Sequence, residues 1–260
     1  RQPRSTLFPY TTLFRSFSAG IEYRLLAGSD QFIKAGFSRN SRIPSLNDRY
    51  WNPGGNPSLR NEYAFQYEAG YQLSHRLSSL MSADAELTCF SNHIRDMIQW
   101  QPGKYSWWTA ENIGSVNASG FESYLTLKYS EDELSFRINT GYAFTRSVSE
   151  SKTGDAGKKQ LMYIPVNQAN GTFYFSYGKI YLFWISDFTG KRFITVDNKE
   201  FLPAYFINNI ISGIKINIGK QSADLSLKVE NLLNTDYQTI AFHPQPGRSF
   251  FISLTFNLTK

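Results

Sequence analysis

Apolar and polar positions alternate along most of this chain, and the alternation is clearest at the C-terminal end. Phe250, Ile252, Leu254, Phe256 and Leu258 fall on one face of an extended segment, and Ser253, Thr255, Asn257 and Thr259 on the other. That period of two is the signature of a β-strand. The segment before it repeats the pattern, with Ala223, Leu225, Leu227 and Val229 set against Asp224, Ser226, Lys228 and Glu230. Upstream, Tyr63, Phe65, Tyr67, Ala69, Tyr71 and Leu73 alternate with Gln66, Glu68, Gly70 and Gln72. Leu134, Phe136, Ile138, Tyr142 and Phe144 do so with Ser135, Arg137, Asn139 and Thr145, and Ile210, Ile214, Ile216 and Ile218 share a side. Counted with the weaker segments near Phe17–Ala27, Gln31–Asn40, Leu80–Gln101, Trp107–Tyr129, Tyr177 and Lys179, the pattern predicts about 11 strands.

The connections between these strands alternate as well. Gly28-Ser29-Asp30, His75–Ser78, Ser130–Glu133, Gly178 and Gly219-Lys220-Gln221 are short turns. Ser41–Asn61, Gln101–Trp107, Ser147–Gln160, Val196–Glu200 and Thr235–Gly247 are the longer connections between them. In an antiparallel meander, two strands and one short turn separate each long loop from the next, so all long loops emerge at one rim. This is the plan of a transmembrane β-barrel with apolar residues outward and polar residues inward. On that plan Glu68, Arg137, Lys215, Lys228 and Glu230 line the lumen. The fourth and fifth strands, near 20 residues each, reach roughly 65 Å, well past a bilayer core of roughly 30 Å, so they are expected to project as continuous ribbons beyond the membrane. A soluble β-sandwich would also alternate, but it would need a second sheet over its apolar faces. No domain boundary interrupts residues 17–260.

Composition supports a barrel. Phe, Trp and Tyr make up 16% of the chain while its mean hydropathy is −0.37, the combination expected where only alternate residues meet lipid and aromatic girdles mark the interfaces. No window is apolar over the 18 or so residues a membrane helix needs. The run Thr6 to Ser16 (TLFPYTTLFRS) resembles the translation of a common sequencing adapter, so residues 1–16 are expected to lie outside the natural fold and the natural chain to begin upstream. Setting aside Arg1, Arg4 and Arg15 lowers the net charge from +6 to +3. No basic stripe accompanies it, which excludes a nucleic-acid partner. The lone Cys89 excludes an intramolecular disulfide and multi-cysteine metal sites. Gly-x-Ser-x-Gly and His-Glu-x-x-His are absent, and His75, His93 and His243 are far apart in sequence, so no catalytic constellation or cofactor is expected.

Two stretches carry a specific resemblance. The segment Glu230-Asn231-Leu232-Leu233-Asn234-Thr235-Asp236-Tyr237, a proline-containing loop, Pro246-Gly247-Arg248 and a final strand together resemble the C-terminus of TonB-dependent outer-membrane receptors. Arg42-Ile43-Pro44 followed by Asn56-Pro57-Ser58-Leu59-Arg60-Asn61-Glu62 is similar to an internal element of the same family. The resemblance implies the C-terminal half of a barrel of about 22 strands around a plugged lumen, located in the outer membrane of a Gram-negative bacterium and surrounded by its lipid. It also implies a partner, the TonB energy-coupling complex, acting through a plug domain that this sequence does not include. The ligand it implies is a small-molecule metal chelate, an iron–siderophore complex, or cobalamin, taken up without chemical change. An oligosaccharide-uptake receptor of the same fold is the next reading, and a soluble secreted glycan-binding β-protein the one after. Haem receptors of the family place a histidine between the two internal motifs, where this chain has none. The chain departs from the usual ending in that Phe256 is followed by Asn257-Leu258-Thr259-Lys260.

Candidate ligand contacts are Arg49, Tyr50, Trp51 and Asn52 in the first long loop, Trp107 and Trp108 in the second, and His243 in the last. Flat aromatic faces stack on macrocycles and sugars, whereas the same tryptophans also suit a membrane-interface belt. The first loop, stiffened by Pro44, Pro53 and Pro57, also reads as a structural cap at the barrel rim.

Overall fold

The computed structural model describes residues 16–103, 107–150, 159–219 and 221–257. The predicted adapter segment therefore lies outside the described residues except for Ser16. Eleven strands form one antiparallel meander in sequence order: β1 Phe17–Arg24, β2 Asp30–Arg42, β3 Glu62–Arg76, β4 Met81–Arg95, β5 Ser115–Glu131, β6 Leu134–Glu150, β7 Asn167–Tyr177, β8 Ile180–Thr189, β9 Tyr205–Ile218, β10 Gln221–Glu230 and β11 Ser249–Asn257. A short extra strand, Lys159–Gln160, pairs with the end of β6. Among the described residues β1 and β11 each pair with one neighbour only, so the sheet is an open part of a barrel wall.

Register assigns every side chain to a face, because directly paired residues share one. Phe250, Ile252, Leu254 and Phe256 pair with Val229, Leu227, Leu225 and Ala223, and Val229, Leu227 and Leu225 pair in turn with Ile210, Ser212 and Ile214. The same face continues through Trp184, Phe173, Ile138, Leu127 and Ala83 to the far side of the sheet. It is apolar and solvent-exposed, reaching 79% at Ile252, and among the described residues no second sheet lies over it. Burying a side chain of this size stabilises it by about 1.5–3 kcal/mol over leaving it in water, so a face of this extent has to meet an apolar phase. The opposite face carries Glu68, Arg137, Lys215, Lys228 and Glu230, as the alternation predicts. Charges there sit beside opposite charges: Lys34 by Glu22, Lys128 by Asp84 and Lys228 by Glu230.

Three expectations need correction. The fourth and fifth strands are not continuous ribbons. Left-handed backbone at Asp96 (φ 53°) and Gly114 (φ 91°) breaks them into β4, β5 and a separate rim hairpin, Ile98–Pro102 with Trp108–Asn112. The first long loop is not wholly irregular, because it holds a one-turn helix, α1, Leu46–Tyr50. The polar connection expected from Ser147 starts later, since Ser147–Glu150 still belong to β6. The compact apolar cluster of Leu59, Ile98, Ala110 and Trp100 lies at this rim and not between sheets.

The last strand is positioned by two asparagines of the C-terminal motif. Asn231 (φ 47°) and Asn234 (φ 52°) both adopt the left-handed conformation that asparagine tolerates better than most residues. The Asn231 amide donates to the carbonyls of Thr235 and Pro246, and Asn234 Oδ1 accepts from Arg248 N–H at 2.9 Å. The end of β10 is thereby tied to the start of β11 across a connection of about 18 residues.

The face assignment makes a direct prediction. In the protein folded into lipid vesicles, Leu254→Arg on the outer face should cost about 2–4 kcal/mol, and Ser226→Arg on the inner face should cost far less. Urea unfolding of the two variants measures the difference. Equal costs would mean the apolar face is not in lipid.

Candidate functional site

The long connections emerge at one end of the sheet, as strand parity requires, and they are locked to one another. Asp48 of α1 is the hub. Ser45 starts the helix with a reciprocal cap: its hydroxyl accepts from Asp48 N–H at 3.1 Å, and its own N–H donates to Asp48 Oδ2 at 2.9 Å. Asp48 is only 3% exposed. Its other oxygen accepts from the Trp100 indole N–H at 3.0 Å, and Arg42 lies 3.2 Å from Oδ2. Arg42 also reaches Glu62 at 3.7 Å, and Glu62 accepts from Ile98 N–H at 2.9 Å. One network thus joins the end of β2, the helix, the start of β3 and the rim hairpin. Burial by itself pushes the Asp48 carboxyl up, but the Ser45 N–H, the Trp100 indole, the Ser45 hydroxyl and Arg42 outweigh it and hold the group below the ordinary 3.8.

The loop is then pressed onto the hairpin by backbone contacts that leave no room for side chains. Ala110 N–H donates to Gly54 O at 2.9 Å, and the Asn56 amide donates to Ala110 O at 3.2 Å. A Cβ on Gly54 would lie 1.9 Å from the Trp108 carbonyl oxygen. The glycine is needed for close approach.

Further contacts carry the rim around. Trp108 and Tyr163 rings lie 6.1 Å apart, and Tyr163 N–H donates to Phe193 O at 2.8 Å. Asn198 exchanges hydrogen bonds with the Gln160 backbone at 2.8 and 2.9 Å. Buried Arg192 donates to the carbonyls of Gln238 and Thr239 and lies over the Tyr205 ring at 4.9 Å.

Against this frame the predicted site residues divide. Tyr50 is 64% exposed and Trp51 59%, so their rings add little to the fold. Asn52 is exposed and is joined to Pro53 by a cis peptide bond, and Arg49 is half-buried. The loop that carries this group touches, through Gly54, the hairpin on which Trp107 and Trp108 are partly exposed. His243 sits on a small hairpin, Gln238–Ile240 with His243–Pro244, in the last loop, and its Nδ1 lies 2.9 Å from Ala241 O. Sequence reasoning missed Asp48 and Arg192, and read Trp100 with Trp107 and Trp108 as a stacking or belt residue, whereas Asp48, Arg192 and Trp100 hold the rim together. Ser45-x-x-Asp48 is a readable capping signal, whereas nothing local to Trp100 or Arg192 announces its partner.

A family described as TonB dependent receptor-like, beta-barrel matches residues 2–232 of the chain. The chain belongs to the TonB-dependent receptor family. The matched span takes in most of the segment read as adapter-derived and stops before the last strand. This TonB-dependent receptor chain is 26% identical over 222 residues to the vitamin B12 transporter BtuB of Vibrio vulnificus strain YJ016, covering 83% of the chain and 33% of that protein. It is 22% identical over 241 residues to BtuB of Photobacterium profundum, covering 88% and 36%. The chain thus spans about a third of the length of these relatives. Among solved structures, the copper transporter OprC superposes with a TM-score of 0.68 at 16% identity, over 91% of the chain and 38% of that protein. The siderophore receptor PiuA from Acinetobacter baumannii gives 0.67 at 20% identity, over 92% and 35%. The shared fold is the receptor barrel wall.

Two outcomes test the rim. Asp48→Asn should speed exchange of the Trp100 indole proton at neutral pH, because the acceptor loses its charge. In the parent protein the Asp48 contribution is present above the ordinary aspartate value and is lost as pH falls through the lowered one. Exchange should therefore stay slow down to pH 3.8 and accelerate only below it. Acceleration already at pH 5 would remove Asp48 as the hub. Gly54→Ala should open the Ser41–Asn61 loop to limited proteolysis while the barrel strands stay protected, and unchanged cleavage would show the contact to be dispensable.

Proposed function

We propose that this chain is the C-terminal part of the barrel of an outer-membrane receptor that takes up a scarce, large ligand, cobalamin or an iron–siderophore complex, driven through the TonB system. In this reading the ligand passes without chemical change and the barrel supplies no catalytic group. The observation that carries the proposal is the division of labour in the first loop. Asp48, Gly54 and Leu59 fix its shape, while Tyr50 and Trp51, on the same turn of chain, face solvent on the loop that Gly54 seats against the hairpin of Trp108. Four exposed or half-exposed aromatic rings on a rigid rim form a surface for the organic shell of a chelate or for a macrocycle. The relatives named as vitamin B12 transporters and the siderophore receptor of like fold support these two ligand classes. His243, in the last loop, would contact a ligand large enough to cross the mouth.

Replacing both Tyr50 and Trp51 by Ala in the full-length receptor should raise the ligand Kd about tenfold or more, each stacked ring being worth roughly 1 kcal/mol. Barrel assembly should stay intact, because neither ring is buried. Uptake of labelled cyanocobalamin or ferric siderophore by cells should stop when TonB is inactivated. TonB-independent uptake would overturn the transport reading, and unchanged affinity would leave the loop as a cap only.

A further inference from the structure

Among the described residues, Arg39, Arg95 and Arg146 are the only lysine or arginine residues that strand register puts on the outer face of the wall. All three lie toward the rim end, on β2, β4 and β6. Arg39 shares a row with Phe65 and His93, Arg95 lies one step closer to the rim beside Tyr63, and Arg146 lies one step below, in the row of Ser119 and Ser91. With neighbouring strands about 4.8 Å apart, the patch is about 20 Å wide. On this face the acidic positions are Glu131, at the opposite short-turn end, and Glu150, the last residue of β6. The rest of the outer face at the rim end, on β7 to β11, has no basic strand residue among the described residues.

The patch is also shaped. The Arg39 guanidinium lies 5.3 Å from the Tyr63 ring centre and 5.8 Å from that of Phe65, which orients it across the sheet surface. His93 Nδ1 lies 2.6 Å from Asn117 Oδ1, and Arg95 Nε donates toward His93 Nε2 at 3.4 Å. His93 thereby steers the Arg95 guanidinium. Directly below, the same face turns apolar within one or two rows, at Ala35, Ala69, Cys89, Phe121 and Phe144.

Guanidinium groups bind phosphate in a planar, two-toothed geometry that lysine does not match. A basic patch bounded on one side by an apolar wall suits a molecule with phosphate at one end and hydrocarbon at the other. We propose that Arg39, Arg95 and Arg146 hold a phosphate-bearing lipid headgroup of the leaflet at the rim end of the barrel, with its acyl chains lying on the apolar rows below. The inference rests on the outer face being the lipid-facing one. A free anion would gain nothing from the apolar rows.

The test uses the full-length receptor in phosphatidylcholine nanodiscs doped with bisphosphorylated lipid A, with lipid binding read by native mass spectrometry. Dephosphorylated lipid A and inorganic phosphate serve as the two comparison probes. Bisphosphorylated lipid A should bind the parent protein preferentially. Replacing one arginine by Gln should weaken it about fivefold, and replacing all three on the order of a hundredfold. The triple Arg→Lys protein should recover part of the loss, and Lys199→Gln, a charge change in an exposed loop, should have no effect. Folding is checked by heat-modifiable gel migration, and if the triple Gln protein fails it, the single variants and the Lys series decide. Equal binding of phosphorylated and dephosphorylated lipid by a nanodisc-inserted parent overturns the headgroup assignment while leaving the lipid-facing wall intact. Binding of inorganic phosphate as tight as that of the lipid overturns it in favour of a plain anion site. Failure of the parent protein to insert overturns the lipid-facing reading and this inference with it.

Discussion

The structure depends on a mismatch that only a membrane resolves: a hydrogen-bonded sheet with one apolar face and, among the described residues, no protein over that face. In lipid, every backbone N–H and C=O has to find its partner within the protein, which leaves a closed barrel as the sheet structure that spans. The meander meets this condition along every internal ladder from β1 to β11, and closing it takes further strands at both outer edges. The same constraint explains the plain character of the wall. Its outer residues need only be apolar, and its inner ones need only be solvated or paired, as Lys128 with Asp84 and Lys228 with Glu230 are. Precision is therefore concentrated elsewhere, at the rim.

The rim is a polar structure assembled by long-range pairing. Asp48 satisfies a nearby backbone N–H and arginine together with an indole from 52 residues away, and the glycine at position 54 lets two backbones meet. Removing the Asp48 acceptor leaves the half-buried Trp100 indole and the Ser45 N–H without their partner. Loops held this way can present Tyr50 and Trp51 to solvent without those rings having to stabilise anything. A surface organised before a ligand arrives binds it without a further cost in ordering.

The strands were legible in the sequence because a half-lipid, half-lumen wall writes its two faces into alternate positions, as in Phe250–Phe256 and Tyr63–Leu73. Parity alone then placed every long loop at one end. The rim hairpin was not legible, since period-two alternation runs on through Asp96 and Gly114 and only the left-handed backbone at those two residues breaks the ribbon. The short helix left a trace in Ser45-x-x-Asp48, but five residues give no helical periodicity to read. The candidate aromatic residues were picked by type and position, and the structure places Tyr50 and Trp51 on the loop that meets the hairpin of Trp108 through Gly54, with His243 on a small hairpin in the last loop. The arginines that tie or decorate the rim, Arg192 inside and Arg39, Arg95 and Arg146 outside, owe their roles to strands and loops far away in sequence.

The central claim is that the apolar face meets lipid, and a spin-label scan of β11 tests it most directly. Single nitroxides at positions 250 to 256 of the full-length receptor, in bilayers, report accessibility to oxygen dissolved in lipid and to a water-soluble nickel chelate. Lipid contact on one face gives high oxygen accessibility at 250, 252, 254 and 256, low accessibility at 251, 253 and 255, and the reverse order for the chelate. A scan without that alternation, or with nickel access at all seven positions, would contradict it.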